Sequence, residues 1–333
     1  MPSRFVVDAS TVWIVDRRVV ALLTLVMVAV VTLPLTAAAD TTGQAKNSAL
    51  AAASGTRTNA STNGSGSGAP STAVVATPVE RDSSALVAAL QQSAAGSGAS
   101  VGVQVIELGG SDPIAWSLNA STVFTAASTY KLVALMMEAQ NIALGKTDPN
   151  GLVCYEPEDY EAGWFDDYAP GVCFTRNELA SRAGKQSDNT AGHMLVRDVG
   201  GSDALNAWAA SLGTTNSAFF VGNTTTAADL ADLWQAEADG GLGGAAAQAW
   251  LYPLLTGTDY ESGVPAGVPA GSTVVHKIGA IDAVEDDTAL VTPGPDGTYV
   301  LVVMTDGAGG AAGWGLIAAI SAAVWQEEAS RLQ

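Results

Sequence analysis

Ser128 and Lys131 lie three residues apart, and their side chains could together form an activated serine nucleophile. They begin an apolar segment, 131–144, whose composition predicts a helix. Because positions i and i+3 lie on one face of a helix, the hydroxyl and the amine can meet. An amine kept neutral by burial, or by a second cation nearby, can take the proton of a serine and activate it. Alone, the pattern is more typical of a serine that caps a helix and is followed by an ordinary lysine.

Two short motifs further along the chain support a catalytic interpretation of this pair. Residues 187–189 (SDN) stand at the start of a predicted helix, and residues 276–280 (HKIGA) lie on a predicted strand. Singly, each has a structural interpretation, since Ser, Asp and Asn favour helix N-termini and a strand lysine can simply be solvated. Together, S-x-x-K, S-D-N and an altered K-T-G follow the order known from class A β-lactamases and penicillin-binding proteins. The domain therefore resembles the serine β-lactamase and penicillin-binding superfamily, most closely its class A branch.

The resemblance implies a division of labour among four side chains. Ser128 would be the nucleophile that attacks a strained or activated carbonyl, and Lys131 would be its base, directly or through a water. Ser187 would pass a proton to the leaving nitrogen, helped by the charge of Lys277. The first half of the reaction would leave an acyl group on Ser128.

The resemblance also implies a set of substrate contacts. Asn189 would hold the side-chain amide of the substrate, and Gly279 and Ala280 would border it. The backbone N–H groups of Ser128 and Ala280 would form an oxyanion hole, whose donors are typically worth about 3 kcal/mol each in the transition state. Asp188 is interpreted as a structural hydrogen-bonding residue rather than a catalyst.

Two departures from the class A pattern argue against an efficient β-lactamase. Class A enzymes carry a glutamate, within E-x-x-L-N, that activates the deacylating water, whereas residues 212–226 read LGTTNSAFFVGNTTT and hold no acid. Ile278 stands where the family has a hydroxyl that binds the carboxylate of the substrate. Residues 281–290 offer no arginine in its place and carry Glu285, Asp286 and Asp287 instead. We expect slow deacylation, and repulsion of a penicillin carboxylate by these acids.

The two cysteines, Cys154 and Cys173, lie in one segment of a chain that we expect to be exported. Export favours a disulfide between them, and closing a loop of this size stabilises the fold by about 3 kcal/mol. Residues 154–173, called the lobe below, offer two aromatic residues that could wall the site, Trp164 and Tyr168, and several acids: Glu158, Asp159, Glu161, Asp166 and Asp167. We hypothesise that the lobe shapes the substrate site. The alternative is a surface loop that needs its disulfide for stability.

Residues 1–40 have the parts of an export signal. The pair Arg17-Arg18 precedes an uncharged, mostly apolar run, 19–36, and three alanines that end at Ala39 follow it. Cleavage near Ala39 would release a secreted protein, whereas the run is also about long enough to stay in a bilayer as an anchor. Residues 41–78, rich in Ser, Thr, Gly and Ala, predict a flexible, disordered linker. The domain would then comprise residues 79–333 and act outside the cell or in the cell envelope.

The charge balance excludes several classes of partner. The chain has 14 basic and 33 acidic residues and a net charge of −19, which argues against binding to nucleic acid or to anionic membrane surfaces. Its two histidines, His193 and His276, are far apart and lack ligand-like neighbours, so we expect no zinc or other metal. We expect no cofactor either, and a monomer that acts on a small-molecule or cell-wall-derived substrate.

Strands at both ends of the domain with helices between them predict an α+β fold. It would be β-lactamase/transpeptidase-like: an antiparallel sheet of about five strands flanked by helices, plus an all-helical subdomain, with the last strands paired to the first two. The predicted strands are 101–108, 113–118, 272–277, 288–292 and 299–305. The predicted helices are 84–95, 131–144, 178–184, 189–199, 202–212 (capped by Ser202), 227–237 (opened by 224–226), 245–255 and 311–326, and 146–177 is predicted to be irregular.

Three functions remain open on this basis. The first, which we favour, is an exported serine hydrolase that acylates on Ser128 and turns over slowly, or acts on an ester or peptide. The second is an efficient β-lactamase with an unrecognised deacylation base. The third is a cell-envelope binding protein that keeps the fold without catalysis. The intact serines and lysines favour the first two, whereas Ile278 and the missing glutamate favour the first and third.

Overall fold

The computed structural model describes residues 79–80, 84–110 and 113–331. The predicted signal or anchor (1–40) and the predicted linker (41–78) lie outside these residues, and both stay predictions. Among the described residues, no helix combines the length and the apolar character that a bilayer span requires. The described part contains all the motifs named above.

A single sheet forms the centre of the domain. The strands of the described residues are β1 (Val79–Glu80), β2 (Ser100–Glu107), β3 (Ile114–Leu118), β4 (Val123–Thr125), β5 (Leu152–Cys154), β6 (Cys173–Thr175), β7 (Thr224–Thr226), β8 (Thr273–Ile281), β9 (Val284–Gly294) and β10 (Gly297–Asp306). Six of them form the sheet in the spatial order β1-β3-β2-β10-β9-β8, whereas β4–β7 and β5–β6 are separate pairs. All neighbours in the sheet are antiparallel except β1 and β3. The predicted five-stranded antiparallel sheet is confirmed, and the two-residue β1 extends its edge.

The sequence of β10 explains why this strand lies in the middle. Residues 299–304 (YVLVVM) are all buried, as expected of a strand that is covered on both faces. Val303 of β10 lies opposite Val103 of β2, and β2 pairs in turn with β3. The last strands therefore pair with the first ones, as predicted.

Helices cover both faces of the sheet. The helices of the described residues are α1 (Ser84–Ser97), α2 (Tyr130–Ala143), α3 (Arg176–Lys185), α4 (Asn189–Asp198), α5 (Gly201–Ala210), α6 (Ala227–Ala238), α7 (Gly244–Leu251), α8 (Val264–Gly267) and α9 (Ala311–Ser330). Apolar residues of α1 and α9 share one core cluster with the sheet. Those of α2 to α7 share a second cluster with its other face. The predicted helical subdomain is this second layer.

Helix α2 forms the centre of the helical layer. Its apolar side chains are enclosed all round: Leu132, Leu135 and Met136 are each fully buried. A helix that is apolar on every side is typical of a protein interior, where burying each such side chain contributes about 1.5–3 kcal/mol. Lys131 belongs to the same helix and is equally buried. A charged amine in such a place is costly, so it must find partners or lose its proton.

Two local predictions around these elements were wrong. Residues 146–177 are not irregular throughout, because β5 and β6 pair with Cys154 opposite Cys173. Ser202 does not cap α5. Gly200, with φ +108°, precedes that helix, and Ser202 Oγ donates to Phe219 O at 3.3 Å.

The helix predicted over 227–237 begins at Ala227 as expected, whereas the next helix is shorter than predicted. Residues 224–226 form strand β7 against β4, and Thr226 caps α6 by accepting a hydrogen bond from Asp229 N at 3.1 Å. The helix predicted over 245–255 ends at Leu251 and continues as a 3-10 turn. Pro253 has no N–H to continue the α-helical ladder.

Candidate active site

Ser128 lies in a 3-10 turn, Ala127–Thr129, that leads into α2. Ala127 has a left-handed backbone, φ +43°, which persists for a residue with a side chain only where the surroundings fix it. Asn223 supplies that support: its side-chain Nδ2 donates to Ala127 O at 3.0 Å, and its backbone carbonyl accepts from Ala126 N at 2.8 Å. The segment 212–226, which lacks the class A glutamate, therefore holds the turn that carries Ser128.

The Lys131 amine contacts both serine motifs. Its Nζ lies 2.9 Å from Ser128 Oγ, and it donates to Ser187 O and to Asn189 Oδ1, each at 2.6 Å. Gly192 of α4 makes room for it, since a Cβ there would lie 2.8 Å from Lys131 Cε. The amine is thus held between the nucleophile candidate and the start of α4.

Burial lowers the pKa of the Lys131 amine from 10.5 to about 7, although the negative charges of Asp188 and Glu161 oppose the shift. Near neutral pH, a large share of the amine is therefore unprotonated. An unprotonated amine 2.9 Å from the Ser128 hydroxyl has the geometry that a general base requires.

Ser187 precedes α4 with a left-handed backbone, φ +58°, and its hydroxyl lies between two amines. Lys277 Nζ donates to Ser187 Oγ at 2.9 Å, and Lys131 Nζ lies 3.4 Å from the same oxygen. Burial, followed by the charge of Lys131, lowers the pKa of Lys277 well below 10.5, and only Asp287 opposes this. A proton on one amine therefore disfavours a proton on the other. Such a pair can pass a proton through the hydroxyl between them.

Asp188 is enclosed by donors. Its carboxylate accepts hydrogen bonds from Ala191 N at 2.8 Å, from the Tyr168 hydroxyl at 2.7 Å and from Trp164 N at 3.2 Å. The first contact caps α4, and the other two attach the lobe to it. The geometry supports the structural interpretation of this residue.

Strand β8 brings Gly279 and Ala280 to the turn that carries Ser128. A Cβ at Gly279 would lie 2.8 Å from Ala126 O, so the absence of a side chain allows this close approach. Ala280 and Ser128 then line one cleft of ≈ 170 Å³. The cleft is lined by Ala127, Ser128, Tyr130, Glu161, Asn189, His193, Phe220, Asn223, Ala280 and Ile281.

The lobe contributes a carboxylate to this cleft. Glu161 Oε1 accepts a hydrogen bond from Asn189 Nδ2 at 2.8 Å, and its Oε2 lies 3.0 Å from His193 Nε2. The backbone of Glu161 makes two hydrogen bonds with the Thr190 hydroxyl, at 3.1 and 2.8 Å. The lobe is therefore attached to α4 beside the residue that is predicted to bind substrate.

The disulfide closes the lobe at its base. Cys154 and Cys173 are bonded to each other on the paired strands β5 and β6. Trp164, expected to form a wall of the site, is 67% exposed, and its ring centroid lies 6.4 Å from that of Tyr260. Tyr168, the other expected wall, points its hydroxyl at Asp188.

Comparison with known proteins identifies the family of the chain. Residues 85–327 match the β-lactamase enzyme family. The chain belongs to this family. The matched range contains every predicted site residue from Ser128 to Ala280, and the predicted membership of the serine β-lactamase and penicillin-binding superfamily is confirmed.

Solved structures of β-lactamases and penicillin-binding proteins share the fold. PBP-A is 26% identical with a TM-score of 0.70, over 75% of this chain and 98% of that one. A PBP-A variant solved as an acyl-enzyme complex with penicillin G is 26% identical with a TM-score of 0.68, over 75% of this chain and 98% of that one. A β-lactamase from Sphaerobacter thermophilus is 25% identical with a TM-score of 0.66, over 74% and 98%. A search of curated proteins gave no significant match.

The acids of β9, expected to repel a carboxylate, do not line the cleft of this β-lactamase family member. Glu285, Asp286 and Asp287 are all buried. Asp287 Oδ1 lies 2.9 Å from His276 Nδ1, and backbone N–H groups donate to the other two. The carboxylate among the cleft-lining residues is that of Glu161 instead.

His276 balances part of this acidic charge behind β8. Burial lowers its pKa, but the charges of Asp287 and Glu261, and its contacts with both, outweigh burial and raise the pKa to about 9. His276 is therefore charged near neutral pH. Among the described residues, no group of three or more His, Cys, Asp or Glu side chains could hold a metal ion.

Several residues of the cleft carry no strong sequence signal. His193 follows Asn189 by four positions, so the helix period could have placed it on the same face of α4. Phe220, from the segment without an acid, packs edge-on against Tyr130 and His193, with ring centroids 5.3 and 5.0 Å apart. The positions of Phe220 and Ile281 in the cleft depend on the folding of loops, which short sequence motifs do not encode.

Proposed function

We propose that this protein is a serine hydrolase that forms an acyl-enzyme on Ser128 from a β-lactam or a related amide or ester. The observation that carries the proposal is the buried Lys131 amine, with a pKa of about 7, at 2.9 Å from Ser128 Oγ. Membership of the β-lactamase enzyme family supports it. So does the likeness to PBP-A, of which a variant is solved as an acyl-enzyme complex with penicillin G.

In the first step, Lys131 Nζ accepts the hydroxyl proton of Ser128 while Oγ bonds to the carbonyl carbon of the substrate. The carbonyl oxygen then carries a negative charge. The family pattern assigns the backbone N–H groups of Ser128 and Ala280 to that charge, and both residues line the cleft.

In the second step, the bond between the carbonyl carbon and the leaving nitrogen or oxygen breaks, and the leaving atom takes the proton of Ser187 Oγ. Lys131, 3.4 Å from this oxygen, returns the proton that it took from Ser128. Lys277, at 2.9 Å, holds the hydroxyl in place throughout. One proton has moved from Ser128 to the leaving group, and both lysines end as they began.

We further propose that deacylation is slow. A base must activate water for this step, and residues 212–226 hold no acid. Glu161, the carboxylate of the cleft, already accepts a hydrogen bond from Asn189 and contacts His193. The acyl group on Ser128 should therefore persist.

An efficient β-lactamase is the second candidate function, because Glu161 and Ser128 line one cleft. If Glu161 activated a water, the acyl-enzyme would turn over quickly. A binding protein without catalysis is disfavoured, because a buried amine in contact with two serine motifs is costly and has no use in such a protein.

We also propose that the enzyme acts outside the cell or in the cell envelope, as a monomer. The export-like features of residues 1–40 support this location. The disulfide supports it too, since such bonds persist in oxidising compartments.

Incubation of residues 79–333 with benzylpenicillin tests the proposal, with Ser128→Ala as the control. Intact-mass spectrometry follows the protein, and loss of the penicillin is followed in the same samples. A lasting mass gain that needs Ser128 is the expected result. Consumption of penicillin without an adduct would favour the efficient β-lactamase. Untouched penicillin and an unmodified protein would contradict acylation of this substrate class.

A further inference from the structure

The side-chain amide of Asn189, which the family pattern assigns to the substrate, already has protein partners on both of its atoms. Oδ1 accepts from Lys131 Nζ at 2.6 Å, and Nδ2 donates to Glu161 Oε1 at 2.8 Å. An amide nitrogen carries two hydrogens, so one remains for a carbonyl of the substrate. A substrate carbonyl that accepts a hydrogen bond from this remaining hydrogen would lie close to Glu161 Oε1.

Glu161 is held at this point from two sides. The Thr190 hydroxyl accepts from its backbone N–H and donates to its carbonyl. Its Oε2 lies 3.0 Å from His193 Nε2, and the other nitrogen of that ring, Nδ1, lies 3.0 Å from Asp159 O. Oε2 is therefore occupied by His193, and Oε1 is the oxygen that lies against Asn189.

The surroundings leave Glu161 able to attract a cation. Its side chain is 54% exposed, and among the cleft-lining residues its one basic neighbour is His193. The two lysines behind the cleft, Lys131 and Lys277, both have lowered pKa values. The remaining walls include apolar side chains: Phe220, Ala280 and Ile281. A carboxylate in such a cleft favours a positive group on the ligand and disfavours a negative one.

We propose that Glu161 determines substrate specificity by selecting acyl donors that carry an ammonium group on the carbon next to their side-chain amide carbonyl. Such an α-aminoacyl group presents a carbonyl oxygen and an ammonium side by side. Asn189 Nδ2 and Glu161 Oε1 present the matching donor and acceptor, 2.8 Å apart. The inference rests on the proposed acylation of Ser128 and names the chemical class of its substrate.

Three penicillins test this inference, because they differ only in the group on that carbon. Benzylpenicillin carries a hydrogen there, ampicillin an ammonium and carbenicillin a carboxylate. The rate of Ser128 acylation by each is measured by intact mass, in mildly acidic buffer that keeps the ampicillin amine protonated. We expect ampicillin to react about fivefold faster than benzylpenicillin, the scale of one charge-assisted hydrogen bond at a half-exposed site, and carbenicillin to react more slowly than either.

Glu161→Gln keeps the size of the side chain and removes its charge. In this variant, the three rates should converge to within about twofold. Glu158→Gln is the matched control, since it removes an exposed charge from the same lobe at a residue that lines a neighbouring cavity. It should leave the order of the three rates unchanged. Because rates are compared within each protein, a general loss of activity or stability does not alter the ratios.

Equal rates for the three penicillins in the unaltered protein, or an order that survives Glu161→Gln, would overturn the inference while acylation itself stands. If penicillin is consumed without an adduct, the rates of its consumption are compared in the same way. Intact penicillins and an unmodified protein with all three compounds, in both the unaltered protein and Glu161→Gln, would overturn the proposed function and the inference together.

Discussion

Acylation of Ser128 should fail as the pH falls, because its proposed base is an amine whose pKa burial has lowered to about 7. Only the unprotonated form of Lys131 can accept the hydroxyl proton. Below a pH of about 7, the unprotonated fraction falls about tenfold for each pH unit, so the rate at about pH 5 should be about one-hundredth of its plateau. Above about pH 8, the rate should no longer depend on this group.

Lysine variants assign the titration to one amine. Lys131→Met should abolish acylation at every pH. Lys277→Met should lower the plateau and keep a fall, since Lys277 Nζ contacts Ser187 Oγ rather than Ser128. Because a proton on one amine disfavours a proton on the other, loss of Lys277 can move the fall only to higher pH. Lys146→Met removes an exposed lysine just beyond α2 and is the control that should change neither the plateau nor the fall.

The assay mixes protein and benzylpenicillin, quenches samples with acid at intervals and reads the acylated fraction by intact mass. Circular dichroism at each pH shows that the protein stays folded. A rate that is constant between about pH 5 and about pH 8 would refute the reasoning, because an amine that titrates near pH 7 would then not limit the reaction.

Three further outcomes concern stability. Lowering the pKa of Lys131 from 10.5 to about 7 costs the folded state about 4 kcal/mol near neutral pH, so Lys131→Met should raise the thermal midpoint although it loses hydrogen bonds, and a lower midpoint would contradict this. The rise in stability of the unaltered protein between about pH 7 and about pH 10 should become smaller in this variant, with the remainder supplied by Lys277. Burial raises the pKa of Glu237 to about 7, although its hydrogen bond with Tyr252 opposes the shift, so its contribution to the free energy of unfolding is fully present below about pH 4.5 and is lost as the pH rises through about 7. In urea titrations, the free energy of unfolding of Glu237→Gln should fall less over that range than that of the unaltered protein, and an identical fall would show that Glu237 is not its source. Replacing Cys154 and Cys173 by serine should lower the free energy of unfolding by about 3 kcal/mol in urea titrations, and an unchanged value would show that the lobe does not need its disulfide.

The sequence predicted the parts of the molecule that short motifs and simple periods encode. Ser128 and Lys131 are three positions apart, so local geometry alone brings their side chains into reach of one another. The apolar residues of β2 and β10 likewise predicted two strands, which pair with each other as expected. For the same reason, the helical subdomain was recognisable from apolar segments such as α2.

Other features depend on long-range packing and had no such signal. The contact of Glu161 with Asn189 joins residues 28 positions apart through an irregular part of the lobe. The sequence did not indicate that Asp287 is buried, because three consecutive acids usually lie at the surface. The side chain of His276, on the neighbouring strand, contacts its carboxylate and makes burial possible. Propensity also placed Ser202 at a cap, where the left-handed Gly200 serves instead.

Covalent acylation at Ser128 is the central claim, and fragmentation mass spectrometry of the penicillin-treated protein tests it most directly. The proposed chemistry predicts a single added penicillin, carried by the peptide that contains Ser128, and no addition in Ser128→Ala or Lys131→Met. An adduct on another residue, or one that forms equally in Ser128→Ala, would contradict it. So would an unmodified protein that leaves benzylpenicillin intact.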